Sequence, residues 1–243
     1  MGIVNLTALF GAGIGMGLGA IGSAIGEGYA AGRALEGMAR QPKVRDVLTR
    51  DMLIGQAVSE TPGIFALVIS VILIFTVDET NSIAHAAAIL GAGLSIGLGA
   101  FGPAWGSGLI AGRAMAAISR NPSRDGQTVR MMLVAQAFCQ TTVVYALLVA
   151  LLLWGSGASY AQPDFARELV RAAAVLGAGV CMGFGALGPA MGTGDVGAAA
   201  SEGTALFPDA NSKVFNTFLV GGAVSQTTSV YALVVALLLM FVV

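Results

Sequence analysis

Two carboxylates lie inside long apolar stretches of this chain, and an acid in such a place has few options. Glu60 sits in GQAVSETPGIFALVI, about halfway along its stretch. A carboxylate at mid-membrane depth costs roughly 2.5–3.5 kcal/mol on insertion scales, so it must be neutral, paired or bound to an ion. Glu27 sits in GEGYAAGR, in the preceding stretch. If the chain turns near residues 41–44, Glu27 lies about 15 residues before the turn and Glu60 about 17 after it, so an antiparallel hairpin brings them to similar depth. Two acids in low dielectric do not both ionise without a cation. They would share a proton or hold a cation, and would titrate as a unit. Thr61 adds a hydroxyl, and Pro62 frees the Val58 carbonyl four residues back. Together these are oxygen ligands suited to a hard cation, or only a kink. The competing partner for Glu27 is Arg33, but a spacing of six residues is poor on a helix.

The elements that must position these groups are membrane helices. The chain is 56% hydrophobic and 10% charged, with a mean hydropathy of +0.83, whereas a soluble domain averages roughly 25% charged residues. About 20 apolar residues span a bilayer, and six such runs are read at roughly 5–38, 48–77, 83–117, 128–154, 172–203 and 212–243. The start, MGIVNLTALFGAGIG, lacks a basic region and enters the first run directly, so no separate signal peptide is expected. A net charge of −1 implies neither nucleic acid nor an acidic substrate. Cys139 and Cys181 form no CxxC and read as small packing residues.

The six runs are three copies of one pair. GAGIGMGLGAIG from Gly11, GAGLSIGLGAFG from Gly91 and GAGVCMGFGALG from Gly177 repeat with offsets of 80 and 86 residues. The same offsets align Glu60 with Gln140 and Gln226, Glu27 with Ser107 and Thr193, and Pro42 with Pro122 and Pro208. The fold class is therefore all-α, with three tandem transmembrane hairpins at 1–79, 80–162 and 163–243. The repetition is direct, unlike the inverted repeats of many secondary transporters. Ten of the twelve Lys and Arg residues flank the hairpin loops; only Arg167 and Arg171 lie near a connector. This predicts loops in the cytoplasm and both termini outside. Glycines at Gly11, Gly15 and Gly19, with Gly13 and Gly17 on an adjacent stripe, let helix backbones approach closely on more than one side. A ring of tightly packed inner helices has that requirement.

Because Gln140 and Gln226 fill the Glu60 register with amides, the carboxyl of the first hairpin supplies what they lack, an exchangeable charge. Asp195 is a third acid in a membrane run, off the Glu27 register, and reads as a coupling or stability residue. His85, Glu36 and Glu202 read as interfacial.

These features resemble the c subunit (proteolipid) of rotary F-type and V-type ATP synthases and ATPases. The glycine-rich inner helix, GYAAGRALEGMARQP, the outer-helix Glu and the loop Arg40-Gln41-Pro42, with Arg120-Asn121-Pro122 as a variant, carry the resemblance over essentially the whole chain, three times. It implies a homo-oligomeric rotor ring in the cell's inner (plasma) membrane, turning against a stator a subunit that supplies an arginine. Glu60 is then the ion carrier. Glu27, the Val58 carbonyl and Thr61 are ligands if the ion is Na⁺ rather than H⁺. Thr141 or Thr227, with Tyr145 or Tyr231, would come from an adjacent hairpin. The six loop residues would dock the central stalk. Hairpin one departs from the pattern with Phe65 at the tyrosine position and Pro62 where a second hydroxyl often stands. No cofactor is implied beyond the transported ion. The chain has no GxxxxGK[ST] pattern, so ATP is handled by partner subunits.

One carboxylate per three hairpins cuts the ions moved per turn to a third if this chain alone builds the ring. Each charge moved across 100 mV costs roughly 2.3 kcal/mol, so the same ATP energy drives each ion against about three times the potential. That gearing suits a pump better than a synthase. The other reading of the glycine faces is a non-rotary pore or scaffold, for which Glu60 is dispensable.

Overall fold

A computed structural model describes residues 2–76, 81–155 and 164–242. Its long elements are all helical: α1 (Ile3–Arg40), α2 (Arg45–Ile74), α3 (Ile83–Arg120), α4 (Asp125–Cys139), α5 (Thr141–Gly155), α6 (Phe165–Leu206) and α7 (Asn211–Phe241). Six candidate spans result, with α4 and α5 sharing one. The expected unit boundaries at 79/80 and 162/163, and the expected span ends Val77 and Val243, lie outside the described residues. The inner helices run longer than the apolar runs suggested. At about 1.5 Å per residue, the 38 residues of α1 exceed the roughly 30 Å hydrocarbon core, so its ends stand beyond it.

The same chemistry makes all three hairpin turns. Gln41, Asn121 and Phe207 each precede a proline, which bars them from the helical region. Their φ/ψ values are −134°/80°, −137°/76° and −127°/72°. A short 3-10 turn follows each, at Pro42–Val44, Pro122–Arg124 and Pro208–Ala210. Pro62, Pro103 and Pro189 stay inside continuous helices. The run expected to be unbroken over 128–154 is interrupted at Gln140. The interruption is local: the Gln140 backbone N–H still donates to the Gln136 carbonyl at 3.0 Å.

The helices form two rows. α3 stands between α1 and α6; α2 lies against α1 and α3, α4 and α5 lie against α3 and α6, and α7 lies against α6. Each outer helix of the first two hairpins therefore fills the groove between its own inner helix and the next one. In their most apolar windows, 72% of α3 is buried but only 39% of α1 and 22% of α7, because α1 and α7 each have a flank with no neighbour.

Glycine sets the spacing of the inner row. A Cβ on Gly22 would lie 2.6 Å from the Phe101 Cα, and one on Gly194 2.6 Å from the Gly106 Cα. α3 thus has close backbone contacts on both sides, as its several glycine stripes require. Two apolar clusters result, one of residues such as Ile69, Ile96, Val149 and Met240 near the termini and one around Leu48, Met115, Ile118, Met132 and Phe218 near the loops. Between them lies a polar belt. His85 is buried near the start of α3.

Candidate functional site

The belt is built by repetition of one contact. At the boundary between the first two hairpins, Gln140 Nε2 donates to the Val58 carbonyl at 3.0 Å and to the Ser107 hydroxyl at 2.9 Å. At the next boundary, Gln226 Nε2 donates to the Phe138 carbonyl at 2.8 Å, and Thr141 Oγ1 donates to Gln226 Oε1 at 2.7 Å. Phe138 and Thr141 are the register equivalents of Val58 and Thr61. The residue in the Glu60 register thus meets a carbonyl of the preceding hairpin's outer helix at both boundaries, with a hydroxyl of its own inner helix at the first and one of the preceding outer helix at the second.

Two of the expected ligand atoms already have partners within the chain. The Val58 carbonyl is not left open by Pro62; it accepts from Gln140 across the hairpin boundary. The Thr61 hydroxyl bonds its own helix, at Ala57 O and 3.3 Å. Thr141 is engaged with Gln226, and half-buried Tyr145 packs into the terminal-side cluster. Thr227 and Tyr231 are exposed on α7, Tyr231 at 65%.

Glu27 and Glu60 do come together, on the open flank of the first hairpin. Both line a cleft of about 270 Å³ with Met16, Ala20, Ser23, Gly63 and Leu67 among its walls. Glu60 is exposed and Glu27 half-buried. Arg33 does not pair with Glu27. It forms an ion pair with Glu36 at 2.9 Å and lies over the Tyr29 ring at 5.1 Å.

Several polar residues of the belt carried no notice in the sequence. Gln56 Nε2 donates to the Glu27 carbonyl at 3.1 Å and ties outer to inner helix beside the cleft. Its equivalent Gln136, fully buried, bridges the Gly55 and Ser107 carbonyls at 2.9 and 3.0 Å. Ser23 places a buried hydroxyl in the cleft with no hydrogen-bond partner among the described residues. Four-residue spacing from Glu60 and from Gln140 was the available signal for the two glutamines. Cys139 is buried and donates to the Ala190 carbonyl at 3.2 Å, a packing role.

Asp195 is exposed, in a cavity of about 110 Å³ beside Arg113 and Glu202. Glu202 bridges Arg113 and Arg120 at 3.1 and 2.9 Å, joining hairpins two and three. Of the loop residues, Arg40, Gln41 and Pro42 are exposed, whereas Arg120 is tied to Glu202 and Asn121 donates to the Ala205 carbonyl at 2.9 Å. The third loop puts an exposed Phe207 at the equivalent of Gln41 and Asn121.

The arrangement is thus one carboxylate cleft at mid-helix depth and two boundaries closed by neutral amides, within a stack of small-residue helices. The family of the ATP synthase c subunit matches the chain at residues 10–73, 90–153 and 176–239. Among curated relatives, the ATP synthase c subunit of Petrotoga mobilis is 46% identical over 74 residues, 30% of this chain and 77% of that protein. That of Thermotoga petrophila is 43% identical over 76 residues, covering 31% and 89%. The chloroplastic protein of Ostreococcus tauri is 44% identical over 73 residues, covering 30% and 89%. This multi-pass membrane protein therefore belongs to the family of ATP synthase c subunits, with the family unit present three times in one polypeptide.

Proposed function

We propose that this chain is a rotor-ring subunit that carries one Na⁺ per polypeptide at Glu60, in a site completed by a second copy of the chain. The observation that carries this reading is the repeated hairpin-to-hairpin contact. Carried one step further, it seats α1 of one copy on α6 and α7 of another. Glu60 then meets the carbonyl of Val224 and the hydroxyl of Thr227, the equivalents of Phe138 and Thr141, while Glu27 takes the place of Ser107. Tyr231 stands one turn beyond Thr227 on the same face. This supplies a second hydroxyl beside that of Thr61, and the tyrosine that hairpin one lacks.

The glycines support the same seating. Within the chain, Gly93 abuts Gly11 and Gly179 abuts Gly91. Their equivalent, Gly13, has nothing within 4 Å, and Gly177 has only Leu239 at 3.7 Å. Each is a close-contact position awaiting its mate.

In this reading the ion loads through one half-channel, crosses the lipid-facing arc neutralised, and unloads through the other, with the stator arginine separating entry from exit. Gln140 and Gln226 carry nothing, so each turn moves one ion per three hairpins, the gearing of an ATP-driven pump. Arg40, Gln41 and Pro42, with Arg120, Asn121 and Pro122, face the central stalk on the cytoplasmic side. The test is labelling of the assembled enzyme with a carboxyl-reactive carbodiimide. Selective modification of Glu60 that blocks ATP hydrolysis, with protection by Na⁺ at fixed pH, is expected. Labelling that is indifferent to Na⁺ at fixed pH and falls only as the pH is raised assigns H⁺, and ATP-driven activity indifferent to Glu60 modification rejects the rotor reading for a pore or scaffold.

A further inference from the structure

One cation breaks the pattern of the hairpin boundaries at the loop-side edge of the membrane. At the first boundary, Arg50 is held on both sides, by Asp51 at 2.8 Å and by Asp125 of the next hairpin at 3.2 Å. At the second boundary the same three positions are Arg130, Met131 and Asn211. The arginine is kept, and both acids are replaced by neutral side chains. Among the described residues Arg130 has no ion pair, and it is exposed.

A groove of about 230 Å³ opens where the Arg50 pairs would lie. It runs between α4 and α7 with Thr204 of α6 at its floor, and its walls are Gln127, Arg130, Met131, Val134, Asn211 and Phe215. Among the described residues no carboxylate lines it. Arg124 stands beside it and donates to Gln127 Oε1 at 2.8 Å, adding a second cation. The polar groups gather at the loop end, and the apolar Met131, Val134 and Phe215 continue along the helices. Val134 and Phe215 are exposed at 43% and 40%.

Depth matches this division. Arg130 lies ten residues from Gln140, about 15 Å along a helix and so half of a roughly 30 Å hydrocarbon core from the polar belt. That is headgroup level. A guanidinium is the group of choice for a phosphate there, and an unpaired one beside an apolar groove is complementary to a molecule that is anionic at one end and aliphatic at the other.

The geometry points to a binding site for one anionic phospholipid per chain, with its phosphate on Arg130 and Arg124 and an acyl chain along Met131, Val134 and Phe215. The site exists only at the boundary between hairpins two and three. At the first boundary Asp51 and Asp125 already neutralise the arginine, and at the boundary between copies the Arg50 equivalent is Asn216.

The test is native mass spectrometry of the purified ring, released from mixed micelles of phosphatidylglycerol and phosphatidylcholine. The wild type is expected to retain one phosphatidylglycerol per chain at least tenfold over phosphatidylcholine. R130Q is expected to lose the preference. N211D, which rebuilds the acid seen at Asp125, is expected to lose it too while leaving the thermal unfolding of the ring unchanged or raised. Equal retention of the two lipids, or undiminished phosphatidylglycerol in both variants, overturns the site. Displacement of the lipid by millimolar inorganic phosphate overturns the assignment to lipid in favour of a simple anion site.

Discussion

Gln140 donates its side-chain N–H to the backbone carbonyl of Val58, 3.0 Å away on the preceding hairpin. The register position that holds a carboxylate in hairpin one is thus, in hairpin two, a fixed strut between units. The same strut recurs from Gln226 to Phe138. Two of the three positions in this register are structural struts, and the third, Glu60, is left on the open flank of the first hairpin.

Q140L should destabilise the chain, because it strips the donor from the Val58 carbonyl and the Ser107 hydroxyl inside a polar belt. Leaving such groups unsatisfied costs about 1–3 kcal/mol. E60Q should change stability far less, since Glu60 is exposed and makes no hydrogen bond or ion pair among the described residues. Unfolding of the two variants in detergent, followed by circular dichroism, measures the contrast.

T227V should weaken Na⁺ protection of Glu60 from carbodiimide, raising the half-protecting concentration several-fold, and Y231F should act in the same direction. T141V should leave it unchanged, because that hydroxyl serves Gln226. Equal effects of T227V and T141V would contradict the seating proposed between copies.

Two glycines on one helix should separate folding from assembly. G22A forces a methyl against the Phe101 backbone, 2.6 Å from its Cα, and overpacking of this kind costs about 1–3 kcal/mol. G13A meets nothing within 4 Å among the described residues, so it should fold normally and fail to form rings. Thermal unfolding reads the first effect, and blue native electrophoresis the second.

Loss of the Glu202 bridge should be small and dependent on salt. Arg113 and Arg120 are about half exposed, and pairs of this kind contribute roughly 0–1 kcal/mol. E202Q should lower stability by no more than that at low ionic strength, and the difference should vanish near 1 M salt, where the screening length is about 3 Å. A stability titration against NaCl checks it.

Much of this molecule was legible in one dimension because the constraints involved are periodic. Hydrophobic length marked the six spans, the 80- and 86-residue offsets marked the three hairpins, and the prolines at 42, 122 and 208 marked where each must turn. Depth followed from counting residues to the turn, so Glu27 and Glu60 could be matched. What depth does not contain is direction around the helix axis. Whether Val58 faces its own Glu60 or the next hairpin's Gln140 depends on how α2 rotates into the groove between α1 and α3, and side-chain packing sets that rotation. The same holds for Thr141, which turns to Gln226, and for Arg130, whose missing acids show only once α4 and α7 stand side by side. Sequence determined the units, their order and the single carboxylate of the Glu60 register. Tertiary packing alone decided which neighbour each polar group faces, because a hydrogen bond across a hairpin boundary joins residues that no local period relates.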